Sequence, residues 1–343
     1  MITGIDIKNK SLNQQIKPLV KWQSLLADAI RDPNQLIDYL KLPKNYINKI
    51  RQDNDNFKLL ATKSYLDKIE KGNINDPLLL QILPSKQELN HSKYYVSDPV
   101  GDKEAEISPG VLQKYHGRAL IVTTGVCAIH CRYCFRQEFP YAELNPAKNN
   151  WRETIRIIAN DTSLHEVILS GGDPLVLSDE RLSSLCNQLA DIPHIKTIRF
   201  HSRLPIVLPE RIDNNFLTWF RQLKVNKVLV IHANHANEID EKVGDKLRLL
   251  SCSKCVLLNQ SVLLKGVNNN TQVLEELSHV LFKYQALPYY LHLLDKVTGA
   301  AHFDVNEAKA IKIIEELRVK LPGYLVPKLV REISGKRSKT AVV

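Results

Sequence analysis

From residue 118 onward, short apolar, β-branched runs alternate with longer amphipathic ones, and this recurrence constrains the fold more than any other feature of the chain. The apolar runs predict strands at 119–124, 166–169, 196–200, 227–231, 256–259 and 288–293. Helical spacing occupies 151–160, 179–190, 210–223, 238–250 and 271–284. A sixth helix covers 305–320, opened by a capping box in Asp304–Val–Asn–Glu307. After the first unit the strands return about every 30 residues, the length of a βαβ unit. The predicted fold is therefore α/β, a partial (β/α)6 barrel that is curved, partly open and short of the closed eight-stranded form.

Each predicted strand runs into a polar segment. These are the cysteine loop after the first, Ser170–Gly–Gly–Asp–Pro174 after the second, and His201–Ser–Arg203 after the third. The fourth ends at His232–Ala–Asn–His235, the fifth at Asn259–Gln–Ser261, and the sixth carries His292 and then Asp295. A single polar strand end is an ordinary turn. Six on one rim mark the carboxyl ends of parallel strands, where such barrels hold their active sites.

The cysteine loop spaces Cys127, Cys131 and Cys134 as C-x₃-C-x₂-C. Three thiolates on one short loop bind three irons of a [4Fe–4S] cluster and leave the fourth iron to an external ligand. S-adenosylmethionine (SAM) can chelate that iron through its amino and carboxylate groups, the arrangement a radical SAM enzyme needs. A structural zinc site wants four ligands, and His130, inside the first gap, competes with the cysteines for space. Gly171–Gly172, at the next strand end, permits close backbone approach and is a candidate for SAM's amino group. Cys252–Ser–Lys–Cys255 has no second pair to complete a metal site and reads as packing or chance, and Cys186 as a buried small hydrophobe.

Of the 343 residues, 44% are hydrophobic and 24% charged, which is ordinary for a globular protein. No apolar run approaches about 18 residues, so no membrane span is expected. Six cysteines with a tight triad suit a reducing, cytoplasmic setting rather than a disulfide framework. The start lacks the pattern of a signal peptide. The net charge of +10 is spread widely, with Lys8, Lys10, Lys17 and Lys21 early and Lys328, Arg331, Lys336 and Arg337 late. No nucleic-acid-binding motif accompanies it, and a solvated surface is the expected reading. Residues 1–105 read as a mainly helical region, with helices at 22–31, 34–40 and 64–71. The turn-rich Asp98–Pro–Val–Gly–Asp102 marks the boundary; 106–320 is the barrel and 321–343 a C-terminal segment.

Taken together, these residues resemble the lysine 2,3-aminomutase family of radical SAM enzymes. The resemblance runs from about residue 105 to the C-terminus. It rests on Tyr115–His–Gly–Arg118, the cysteine loop, Ser170–Gly–Gly–Asp–Pro174, Ser202–Arg–Leu–Pro205, His232–Ala–Asn–His–Ala–Asn–Glu238, Asn259–Gln–Ser–Val–Leu–Leu264 and Pro288–Tyr–Tyr–Leu291. The segment Trp22–Gln–Ser–Leu–Leu–Ala–Asp28 and the ending from Tyr324 to Thr340 resemble the branch that makes (R)-β-lysine for modification of elongation factor P.

The resemblance implies pyridoxal 5′-phosphate (PLP) as a further cofactor, carried by Lys339. Tyr115 and Arg118 then lie around PLP, with Lys114 where relatives often carry another arginine. Ser170, Gly171, Gly172, Asp173 and Ser202 are the other cofactor-binding candidates. Arg136 matches the arginine for the substrate carboxylate, and Asp295 an acid for the lysine side-chain ammonium. Glu332 stands where relatives carry a second aspartate, and its extra methylene changes the reach of the pocket.

The implied reaction converts L-lysine to β-lysine, with an electron donor such as flavodoxin or ferredoxin. A functional link to the ligase that attaches β-lysine to elongation factor P follows, as does a monomer or dimer, since the chain lacks the long C-terminal extension of clostridial relatives. The alternatives are the same radical chemistry on another amino acid or a peptidyl lysine, and a non-enzymatic iron–sulfur or RNA-associated scaffold.

Overall fold

The computed structural model describes residues 21–51, 57–90, 92–141 and 151–343; Lys8, Lys10 and Lys17 lie outside them. Ten strands form one sheet in sequential order. The first three, β1 (Glu106–Ser108), β2 (Val111–Tyr115) and β3 (Arg118–Thr124), run antiparallel. From β3 the neighbours are parallel: β4 (Glu166–Gly171), β5 (Thr197–Ser202), β6 (Asn226–Ile231), β7 (Cys255–Val262), β8 (Leu287–His292) and β9 (Lys328–Arg331). The short β10 (Thr340–Ala341) returns antiparallel to β9. The ends β1 and β10 do not pair with each other, so the barrel stays open.

All six expected strands are present, and a seventh parallel strand, β9, follows them. It lies in the segment expected to be a separate C-terminal piece. Four residues are too few to display a period, and β9 is stable because β8 supplies its hydrogen bonds. The β1–β2 hairpin was likewise hidden by its short strands.

The N-terminal region is helical in short pieces: α1 (Trp22–Ala27), α2 (Pro33–Leu40), α3 (Lys63–Leu66) and α4 (Pro77–Leu80). Asp32 caps α2, accepting from Gln35 N at 2.9 Å, with Pro33 in the first turn. The helix expected over 22–31 stops at Ala27, where the Arg31 guanidinium takes the Ala27 carbonyl at 3.0 Å. The one expected over 64–71 is a single turn. After it, Asp76 accepts from Glu70 N at 3.0 Å and draws the chain into a loop. Leu36, Leu40, Leu66 and Ile82 join the same apolar core as the barrel strands, so this region is packed onto the barrel.

The barrel helices follow their strands: α5 (Arg152–Asn160), α6 (Asp179–Ala190), the short α7 (Leu204–Val207), α8 (Asn214–Gln222), α9 (Glu241–Ser251), α10 (Thr271–Lys283) and α11 (Glu307–Lys320). The capping box expected at Asp304 is absent. Asn306 caps α11 instead, accepting from Ala308 N at 2.9 Å, while Asp304 accepts from the Tyr95 hydroxyl at 2.9 Å. Cys186, in α6, and Cys255 are buried, in keeping with packing, whereas Cys252 is exposed.

Candidate active site

One cavity of ≈ 620 Å³ lies in the barrel and is lined by both the cysteine loop and Lys339 of the C-terminal tail. The loop leaves β3 and is pinned from beneath. Arg132, fully buried, donates from Nε to Glu88 Oε1 at 2.8 Å and from Nη1 to the Phe57 carbonyl at 2.7 Å. His130 turns to the Lys58 carbonyl, 2.7 Å from Nδ1, and stacks on Phe57 with ring centroids 4.5 Å apart. It is therefore engaged away from the thiols. Burial pushes the Cys127 thiol up, and the Cys134 thiol up to about 12. Left alone these sulfurs stay protonated; as iron ligands they are thiolates. Arg203 Nη1 donates to Cys131 Sγ at 2.7 Å. Among the described residues, no three His, Cys, Asp or Glu side chains gather around a single ion. Three half-buried thiols spread over one loop fit a multi-iron cluster better than zinc.

The β4 end packs under this loop. Gly171 has φ +121, and a Cβ there would lie 2.5 Å from the Thr124 carbonyl. A Cβ on Gly172 would lie 2.3 Å from the Val126 carbonyl. Gly172 N and Asp173 N donate to the Thr124 and Val126 carbonyls at 2.7 and 2.9 Å. The glycine pair thus has a packing reason independent of any ligand, and it also lines the cavity.

Asp173 accepts from Ser202 Oγ at 2.7 Å and from the backbone N–H groups of Leu175, Arg203 and Leu204 at 2.8–3.0 Å. Burial outweighs these bonds and raises its carboxyl to about 6. Asp173 and Ser202 tie the β4 and β5 ends together, and their polar atoms are spent on each other.

Arg136 is buried, donating from Nε to Asp102 at 2.6 Å and from Nη1 to Ser170 Oγ at 3.1 Å. Asp102 also receives Lys114 at 2.6 Å. Burial by itself would raise the Asp102 carboxyl, but Arg136 and Lys114 hold it below the ordinary range. Asp102 was read in sequence only as part of a turn; nothing local signals its place in the site.

Lys339 Nζ donates to Glu332 Oε2 at 2.7 Å, and the Tyr115 hydroxyl donates to Oε1 of the same carboxylate at 2.5 Å. Lys339 also stands over the Tyr290 ring, 5.9 Å from its centroid. Asp295 is enclosed beside this group, and burial lifts its carboxyl to about 7 despite Lys339. Arg118 lies over the Tyr115 ring at 5.4 Å with its buried Nε unpartnered among the described residues. The structure therefore brings Lys339, Tyr115, Arg118, Asp295 and Glu332 to the same cavity as the three cysteines, Arg136, Ser170 and the glycines, and Lys114 links the two sets, 2.6 Å from Asp102 and 3.9 Å from Glu332.

Sequence reasoning missed the polar network below the cysteine loop. Arg203 donates from Nη2 to Glu238 at 2.8 Å and to Gln81 at 2.7 Å, and from Nη1 to the Tyr133 hydroxyl at 2.8 Å. Tyr133 meets His232 Nε2 at 2.8 Å. Burial pushes His232 down to about 3, and it is neutral. His201 and His292 also face the cavity, with Nε2 atoms unpartnered among the described residues.

Residues 116–201 match the family described as a 4Fe-4S single cluster domain. Over 319 residues, 93% of this chain and 94% of the relative, the sequence is 44% identical to L-lysine 2,3-aminomutase of Haemophilus influenzae. It is 46% identical over 320 residues, 93% of each chain, to L-lysine 2,3-aminomutase of Escherichia coli. The enzyme of that name from Clostridium subterminale is 34% identical over 324 residues, 94% of this chain and 77% of the relative. With a thiol triad, an open parallel barrel and this similarity across nearly its full length, the chain belongs to the L-lysine 2,3-aminomutase family of radical SAM enzymes.

Proposed function

We propose that the protein is a PLP-dependent L-lysine 2,3-aminomutase, an isomerase that converts L-lysine to the R form of β-lysine for modification of elongation factor P. The observation that carries this reading is one cavity lined by both a thiol triad and a lysine paired with an acid. The unpartnered Arg118 Nε supports PLP, because a buried donor nitrogen without an acceptor suits an anionic group.

When bound, a [4Fe–4S] cluster with SAM supplies a hydrogen-abstracting radical, and PLP on Lys339 supplies the path by which the α-nitrogen moves to carbon 3. Cys127, Cys131 and Cys134 hold the cluster irons. Ser170, Gly171 and Gly172 border SAM, and Asp173 with Ser202 keeps that border in shape. Tyr115 and Arg118 border PLP. Arg136 receives the substrate carboxylate on the edge that Asp102 leaves open. Asp295 and Glu332 receive the substrate's side-chain ammonium. The depth of the cavity in the barrel shields the radical from bulk water.

In this reading 1–105 is a mainly helical N-terminal region, the barrel spans 106–320, and 321–343 carries Lys339. The protein works in the cytoplasm as a monomer or dimer, takes electrons from a flavodoxin- or ferredoxin-like donor, and hands β-lysine to the elongation factor P ligase. The test is anaerobic: reconstitute with iron, sulfide and PLP, add SAM, L-lysine and dithionite, and separate the amino acids on a chiral column. (R)-β-lysine is expected. SAM cleavage with lysine unchanged would overturn the substrate.

A further inference from the structure

We propose that Arg199 is a second guanidinium for the phosphate of PLP, acting beside Arg118; the proposal rests on the cofactor reading above and deepens it. In the parallel register Arg118 pairs with Glu166, and Glu166 with Thr197. Side chains alternate along a strand, so Arg199, two residues on from Thr197, points to the same side as Arg118. Both arginines line the cavity.

Each has a buried Nε with no partner among the described residues, and Arg199 is only 9% exposed. Glu166 occupies a single nitrogen of Arg199, Nη2, at 2.8 Å. A buried donor without an acceptor is costly, and two such donors lining one cavity call for a ligand with several acceptor oxygens. Glu166 cancels one of the two positive charges, so the group keeps a net positive charge for an incoming anionic phosphate.

Tyr290 ties this pair to Lys339. Its ring lies under the Lys339 ammonium, 5.9 Å away, and both guanidinia act on its hydroxyl, pulling against the burial that raises it. The aldehyde and phosphate arms of PLP leave neighbouring carbons of one ring. A lysine and two guanidinia grouped around Tyr290 match that layout.

The test compares PLP with pyridoxal, which lacks the phosphate, by absorbance titration of the cofactor-free protein and by borohydride trapping with mass spectrometry. Arg199→Gln should weaken PLP binding at least tenfold and leave pyridoxal within twofold. Because that variant strands the Glu166 carboxylate, Glu166→Gln combined with Arg199→Gln is the control; it has the wild-type net charge and should show the same loss of PLP preference. Inorganic phosphate should compete with PLP in the wild type and less in the double variant. An unchanged ratio of PLP to pyridoxal affinity in the double variant would overturn the role of Arg199. A wild type that binds neither compound would overturn the PLP reading itself, and the proposal with it.

Discussion

Replacing Arg203 with Met removes the cation at the centre of the network below the cysteine loop. Glu238, 0% exposed, keeps its bonds from Gln81 Nε2 at 3.1 Å and Asn234 N at 2.8 Å, but loses its ion pair with Arg203, 2.8 Å from Nη2. In the intact protein burial alone would raise the Glu238 carboxyl, yet Arg203 and the hydrogen bonds outweigh it and hold it below its ordinary value. Breaking one partner from a buried pair costs about 3–5 kcal/mol, because the remaining charge is uncompensated. Arg203→Met should therefore lower the unfolding free energy by about that much at pH 7, measured by urea titration of the cofactor-free protein. Adding Glu238→Gln should restore a large share.

The pH dependence has a definite sign. A depressed carboxyl stabilises the wild type above the unfolded value and loses that contribution as pH falls through the folded one. In the variant, burial without Arg203 raises the Glu238 carboxyl, so its penalty is full at neutral pH and shrinks on acidification. The gap between the two proteins should narrow as pH falls from 7 towards the ordinary glutamate range. A gap that stays below about 1 kcal/mol at pH 7, or widens in acid, would refute the reasoning. The same variant removes a donor from Cys131 Sγ, so the reconstituted cluster should become harder to reduce in a redox titration.

Gly172→Ala would put a methyl 2.3 Å from the Val126 carbonyl, so the cysteine loop must shift; iron and sulfide content after reconstitution should fall severalfold while far-UV circular dichroism is kept. Lys339→Ala should abolish β-lysine formation while leaving the cluster absorbance and electron paramagnetic resonance signals in place. Asp295, lifted to about 7 by burial, is disfavoured when charged, so its folded-state cost is absent below about 3.8 and grows to its full value above 7. Asp295→Asn should thus stabilise the cofactor-free protein at pH 8, by a few kcal/mol and on the order of 4 at most, and change little near pH 4, by urea titration at the two values.

Much of the fold was readable because β/α repetition is local. All six expected strands are found within a few residues of their expected bounds, and α6 matches its expected range of 179–190. The site was readable where motifs are contiguous: the cysteine loop, Ser170–Asp173 and the Lys339 tail all reach one cavity. It was not readable where a partner lies far along the chain. Gln81 meets Arg203 across 122 positions, and Asp102 meets Arg136 across 34. Neither spacing leaves a trace in composition or period.

The amino-acid sequence by itself determined the parallel barrel, the thiol spacing and the set of polar residues at the strand ends, since these depend on backbone periodicity and on atoms a few residues apart. Tertiary structure alone decided which of them are free to act. Asp173 and Ser202 satisfy each other, Asp102 takes one edge of Arg136, and Glu332 is shared by Lys339 and Tyr115. The physical reason is desolvation: a buried charge or donor must find a partner, and only the folded chain determines which distant group is close enough to be it.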